Sequence, residues 1–140
     1  MNPPVVIHRK DLKSGRLSGG NSLITRILTV DTAKSSKLHV GIAECAPGDS
    51  PHRWHMHTRD SMPEVEFIYP KGFEEFYYII RGEGTLQWKM PNGGIKEESF
   101  VEGDLIHMPV DIMEHQVLNT GKDTLTVLYG MTPPIQRIDK

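Results

Sequence analysis

Glu74-Glu75-Phe76-Tyr77-Tyr78-Ile79-Ile80-Arg81-Gly82-Glu83-Gly84 is the stretch on which the fold turns. It has an aromatic and β-branched run with no break until the glycines, the composition of a strand entering a turn. Side chains alternate across a strand, so Glu75, Tyr77 and Ile79 share one face, while Phe76, Tyr78 and Ile80 share the other. Apart from the glutamate, both faces are apolar, and a sheet apolar on both faces is covered on both. A second subunit is the natural outer cover, so a homodimer is expected. A flap strand folded over its own sheet is the competing cover.

Outward from this stretch the chain repeats one pattern, short apolar runs cut by Gly, Pro, Asn and Asp. Strands are predicted at 22–30, 38–45, 53–57, 65–68, 75–81, 84–90, 97–101, 104–108, 115–119 and 125–131. The turns are explicit: Ala46-Pro47-Gly48-Asp49, Pro91-Asn92-Gly93-Gly94, Val101-Glu102-Gly103-Asp104 and Asn119-Thr120-Gly121-Lys122. Many short strands punctuated this way give an all-β sandwich or barrel. No segment holds helical periodicity over three turns, although residues 9–12 can start one. The Gly/Ser-rich residues 13–21 read as a loop at the end of an N-terminal arm, 1–21.

Three histidines and a glutamate stand at strand-compatible positions. His55 and His57 are two apart and so face one side of an extended segment, Glu75 follows, and His115 comes after Gly103 and Pro109. Three imidazoles and one carboxylate suit a divalent transition ion: iron, manganese, nickel, cobalt, copper or zinc. With no thiolate in the set, a purely structural zinc site is disfavoured. A single histidine is more often an ordinary surface or core residue, and His8, His39, His52 and His107 are read so. Arg53, two before His55, is expected on the same side; with Arg59 it would favour an anionic substrate through forked hydrogen bonds. Tyr77, beside Glu75, is a candidate acid or hydrogen-bond donor. Arg53 and Tyr77 are therefore the catalytic candidates, and Glu74 points the other way.

A chain of 140 residues is expected to be one domain, 1–140. A formal charge of -2 and a pI near 6.4 supply no broad basic surface, so nucleic acid is not an expected partner. No apolar run approaches the ~20 residues of a membrane span, and residues 1–10 lack the apolar core of a signal peptide. With Cys45 alone there is no internal disulfide. A cytoplasmic protein is expected.

The segments around the metal candidates resemble the two signature motifs of the cupin family. The first usually runs Gly, five residues, His-X-His, three or four residues, Glu, six residues, Gly; Glu75 to Gly82 fits, and His55-X-His57 supplies the pair. The second usually runs Gly, five residues, Pro-X-Gly, two residues, His, three residues, Asn; Gly103 to Pro109 and His115 to Asn119 fit. The resemblance covers about half the chain and implies a double-stranded β-helix, or jelly-roll, barrel with the ion near its mouth. Three departures stand out. Gly48 precedes His55 by six residues, Pro109-Val110-Asp111 replaces Pro-X-Gly with one extra residue before His115, and residues 58–74 are inserted between His57 and Glu75. The insertion carries Arg59, Asp60, Glu64 and Glu66 and then an apolar stretch, 65–69; it is expected as an extended hairpin or flap at the barrel mouth.

The resemblance implies metal-dependent chemistry on a small polar, anionic metabolite, by a dioxygenase or by Lewis-acid isomerisation, elimination or decarboxylation. The alternative is a non-catalytic protein whose metal only anchors a carboxylate or a sugar. The intact four-ligand set favours the enzyme.

Overall fold

The computed structural model describes residues 1–16, 22–35, 37–63, 65–67 and 72–137, and nearly all their regular structure is β. The strands are β1 (Ser14–Arg16), β2 (Leu23–Leu28), β3 (His39–Cys45), β4 (Val65–Phe67), β5 (Glu74–Arg81), β6 (Glu83–Lys89), β7 (Ile95–Val101), β8 (Leu105–Met108), β9 (His115–Leu118), β10 (Leu125–Thr132) and β11 (Ile135–Arg137). A 3-10 turn at Arg9–Asp11 and the helix α1, Val30–Ala33, complete the elements. Thr29 caps α1, its side chain accepting from the N–H groups of Asp31 and Thr32.

Six strands form an antiparallel sheet in the order β1-β2-β3-β10-β5-β8, three form a second in the order β7-β6-β9, and β4 pairs with β11. The chain crosses between the two larger sheets from β5 to β6, from β7 to β8, from β8 to β9 and from β9 to β10. This alternation winds a jelly-roll barrel. At the first crossing Gly82 has φ +96°, and a Cβ there would stand 3.0 Å from the Leu125 Cα and the Thr124 carbonyl oxygen. Only glycine takes that conformation in that space without strain.

Register across the six-stranded sheet sorts its inner face into rows. Ile24, Ala43, Val127 and Ile79 form an apolar row. The next row is Arg26, Gly41, Tyr129, Tyr77 and Ile106, and the one after it is His39, Met131, Glu75 and Met108. The barrel interior thus grades from an apolar row to rows that carry Arg26, Tyr129, Tyr77, His39 and Glu75. Opposite stand Phe100 and Val117 from the three-stranded sheet and Phe67 and Ile135 from the small ribbon, all in one core cluster.

Most of the expected strands form with shifted ends, and the alternation in β5 is as read: Glu75, Tyr77 and Ile79 are buried, while Tyr78 and Ile80 are exposed. Three features differ. Residues 53–57 make no strand, only a single bridge between His55 and His115. Residues 14–16, expected as loop, pair with β2 as an edge strand; residues 17–21 lie outside the described residues. Finally, the described residues of the insertion form no two-stranded hairpin of their own. Its strand β4 pairs with β11 from the C-terminal end, and Met62, Val65, Phe67 and Phe73 enter the core. Ile68 and Tyr69 of the expected strand lie outside the described residues, as does Glu64. No helix among the described residues is long and apolar enough to cross a membrane.

Candidate metal centre

The segment that leads to His55 is anchored before it arrives. Asn119, buried at the end of β9, donates from Nδ2 to the carbonyls of Cys45 (2.9 Å) and Asp123 (2.8 Å). Its backbone N–H donates to the Asp49 carbonyl and its carbonyl accepts from Gly48 N–H, both at 2.9 Å. One asparagine therefore ties the end of β3, the turn after β9 and the start of the histidine segment together. Beyond it, His55 and His115 exchange backbone hydrogen bonds of 3.0 Å in each direction. That bridge sets their rings 4.4 Å apart, centroid to centroid, with His57 at 5.2 Å from His55 and 5.0 Å from His115.

The ring nitrogens are arranged for ligation. His55 Nδ1 lies 2.7 Å from the Arg53 carbonyl and His115 Nδ1 lies 2.9 Å from the Met113 carbonyl. A carbonyl only accepts, so each Nδ1 carries the proton and each Nε2 keeps its lone pair. In both cases the acceptor is the residue two before the histidine. The His57 ring is stacked on Phe73 at 4.2 Å, and His52 stacks on His55 at 3.6 Å. Potential ligand nitrogens of His55, His57 and His115 lie within 4.8 Å of one another. Glu75 Oε1 lies 3.5 Å from His57 Nε2, which adds a carboxylate at the side of the triad.

Burial controls the charge states. It is the main cause holding His55 far below the usual histidine value, with His52, His115 and His57 adding repulsion. His57 is lowered to about 3 by burial, then by His115 and His52, and His115 is lowered by burial. Glu75 is pushed up to about 8 by burial alone. At neutral pH the metal-free pocket therefore contains neutral imidazoles and a protonated carboxyl.

A divalent ion fits this donor set. Both nitrogens of His57 and Nε2 of His115 are buried without a hydrogen-bond partner among the described residues. Each such atom costs about 1–3 kcal/mol when left unmet; one nitrogen from each of His55, His57 and His115 lies within 4.8 Å of the others, where a Lewis acid would meet the lone pairs of neutral imidazoles. The Cys45 thiol, buried and pushed up to about 11 chiefly by that burial, adds no thiolate. Nitrogen and oxygen ligands without sulfur match a site that keeps positions open for substrate.

The cluster borders a cavity of about 60 Å³ that Tyr77 also lines. Space of that size admits a few water-sized groups. Arg53 is not among the lining residues. Because 53–57 is not a regular strand, its exposed guanidinium turns back to Asp49 at 3.3 Å, and only its carbonyl serves the site. Arg59 borders a surface groove with Pro63, Val65 and Glu66 instead. Sequence reasoning missed four lining residues: Arg26, His39 and Tyr129 on the inner rows, and His52 against His55. Alternation puts Arg26 beside Ile24 on an inward face, but which strands lie beside β2 is set by register, which spacing does not encode.

No protein-family model matches the chain, and no curated protein matches it by sequence. Solved structures do match it. A predicted oxalate decarboxylase from Thermotoga maritima aligns with TM-score 0.65 and 22% identity over 91% of this chain and 98% of that one. The oxalate decarboxylase of Lactobacillus farciminis aligns with TM-score 0.69 and 20% identity over 93% of this chain, which spans 33% of that protein. The polyketide cyclase RemF of Streptomyces resistomycificus gives TM-score 0.65 and 19% identity over 99% of this chain and 86% of that one. The chain has the cupin fold. Within the cupin barrel the two motifs take on separate work: Glu75 comes from a regular strand, His55 and His57 from a braced loop, and Asn119 does the bracing.

Proposed function

We propose that the protein is a metal-dependent enzyme acting on a small organic acid by Lewis-acid chemistry, of the isomerase, lyase or decarboxylase kind. His55, His57, Glu75 and His115 are the proposed ligands. The observation that carries this is the convergence of buried, partnerless imidazole nitrogens beside a carboxyl on the wall of a cavity. A divalent ion bound there supplies Lewis acidity toward an oxygen of the substrate. Tyr77 is the proposed hydrogen-bond donor. Burial, reinforced by Glu75, Tyr129 and Cys45, holds its hydroxyl well above the usual tyrosine value, so it keeps its proton and donates toward negative charge that develops on the substrate. Phe73, Met62 and Val65 wall the cavity and limit water, which strengthens that interaction.

Tyr77, a buried group that keeps its proton, favours proton-coupled chemistry over oxygen insertion. Likeness to an oxalate decarboxylase and to an oxalate oxidase in complex with glycolate supports an organic acid as the substrate class. The test is metal analysis of protein purified without an affinity tag, followed by reconstitution with zinc or iron(II). Turnover of an organic-acid panel is then followed by proton NMR in air and without oxygen. Conversion by the zinc form, or by either form under anaerobic conditions, is expected. Activity only with iron and only in air would make the protein an oxygenase, and tight metal binding with no turnover of the panel would favour a binding protein.

A further inference from the structure

The insertion and the C-terminal strand meet on one side of the cavity that the proposed ligands border. Among the described residues β4 and β11 pair with each other and with neither larger sheet. Their ribbon buries Val65, Phe67 and Ile135 while Glu66 stays exposed. Met62 reaches the same place from a turn: its N–H donates to the Thr58 carbonyl at 2.9 Å, and its own carbonyl accepts from Val65 N–H at 3.3 Å. The segment then returns against the histidines. A Cβ at Gly72, where φ is +89°, would stand 2.6 Å from the His57 carbonyl oxygen, so glycine alone fits that crossing without strain. Phe73 follows, buried, with its ring 5.5 Å from Phe67 and 4.2 Å from His57.

Met62, Val65, Phe73 and Ile135 line the cavity beside His55, His57 and Glu75, and none of the four side chains donates a hydrogen bond. The polar lining of Arg26, His39 and Tyr129 belongs to the six-stranded sheet, so the ribbon side is the apolar side. We propose that this wall is an apolar subsite for the hydrocarbon body of the substrate, and that Met62 sets how long that body can be. That the body belongs to a substrate gripped at the histidines rests on the metal-dependent function proposed above; that the wall takes an apolar group does not. Met62 is the longest flexible side chain of the four and stands outside the ladder of β4, so shortening it opens space without removing a strand pair. Against such a wall each added methylene tightens binding about four-fold until the space is full. At ~15 Å³ per water-sized group, the cavity of about 60 Å³ holds about four such groups. Two oxygens at the ion leave room for a body of about two carbons. The substrate class is therefore a short acid with an oxygen next to its carboxylate and a methyl- or ethyl-sized tail. A two-carbon diacid, polar at both ends, leaves the wall uncovered.

The test uses the full-length zinc-loaded protein and acids that share a carboxylate and a 2-hydroxyl and differ only in the tail: glycolate, lactate, 2-hydroxybutyrate and 2-hydroxyhexanoate. Dissociation constants are read from chemical-shift changes of the protein. Affinity should rise about four-fold at each step to 2-hydroxybutyrate and fall at 2-hydroxyhexanoate. Met62→Ala should move the optimum to 2-hydroxyhexanoate. Ala43→Val, which narrows the same cavity from β3, should move it to glycolate or lactate. Equal affinity along the series in the wild type, or tightest binding of glycolate, would overturn the proposal without recourse to any variant. So would an unmoved optimum in a Met62→Ala protein that keeps the β circular dichroism. If that variant does not fold, Ala43→Val decides, and an unmoved optimum there overturns the proposal equally. A wild type that takes up no zinc would defeat the metal-dependent function. Xenon added to the metal-free protein then decides the subsite: shifts of the Met62, Val65 and Ile135 methyl signals support it, and their absence overturns it.

Discussion

Strand β5 and the segment 51–57 deliver side chains to one cavity in different ways. On β5, Glu75 is placed by the sheet: paired with Met131 on one side and Met108 on the other, it has no freedom that its neighbours do not share. His55 and His57 have no such ladder. Their positions come from one backbone bridge, the Asn119 anchor, two ring stacks and the carbonyl of Arg53. A strand holds a functional group by long-range pairing that serves the fold anyway. A braced loop holds it by contacts that serve little besides the site. Damage should therefore follow the source: loop-side changes strike the site and spare the fold, whereas changes on β5 reach stability and assembly.

The largest effect is expected on the loop side. His57→Ala removes a donor whose ring stacks on Phe73 and lies beside Glu75 and the other histidines. Metal affinity should fall by more than the ~10–100-fold that loss of a supporting residue costs, with the β circular dichroism unchanged. His115→Ala should do the same. Full metal occupancy in both variants by elemental analysis would remove this cluster from consideration as a metal site.

Next in size is the outer face of β5. Tyr78 is 41% exposed and Ile80 39%, with Leu105 from β8 at 58% on the same sheet. Exposed apolar patches of this kind mark association surfaces, so a homodimer is expected by light scattering, and Tyr78→Glu should dissociate it. A monomer at high protein concentration would end the expectation, since Met62, Val65, Phe67 and Phe73 of the insertion turn inward to the core rather than over this face.

Glu75 offers a smaller, pH-dependent effect. Its folded value is raised to about 8 from 4.5, so the folded chain holds a proton that the unfolded chain gives up. The stability this contributes is fully present below about pH 4.5 and is lost as pH rises toward 8. His57, lowered to about 3 from 6.5, works in the opposite sense: its contribution is present above pH 6.5 and is lost as pH falls. Between pH 6.5 and 8 the glutamate dominates, so metal-free wild type should weaken there by on the order of 1–2 kcal/mol in urea unfolding. Glu75→Gln should flatten that slope. Equal slopes in the two proteins would show that the carboxyl is already ionised.

Much of this was legible in the sequence, for reasons that also explain what was not. The β5 alternation was readable because eight residues of period two leave one choice of face, and Glu75, Tyr77 and Ile79 all went inward. The histidine spacing was readable because His55 and His57 lie close in the chain. Strands β1 and β11, at three residues each, are too short to show a period. The Arg26 end of the cavity depends on β2, β3, β10 and β5 lying side by side, a long-range pairing that local spacing does not carry. At Arg53 the rule of two failed because the rule belongs to strands, and 53–57 is not one.

That failure supplies the smallest expected effect. Arg53 is joined to the site by its carbonyl, 2.7 Å from His55 Nδ1, while its guanidinium pairs with Asp49 at 3.3 Å in an exposed position. An alanine keeps the carbonyl and loses only the pair, and exposed pairs contribute about 0–1 kcal/mol. Arg53→Ala should therefore leave metal affinity within experimental error and shift the urea midpoint slightly. A marked fall in metal affinity in Arg53→Ala would show instead that the guanidinium pair with Asp49, and not the carbonyl alone, holds the His55 ring in place.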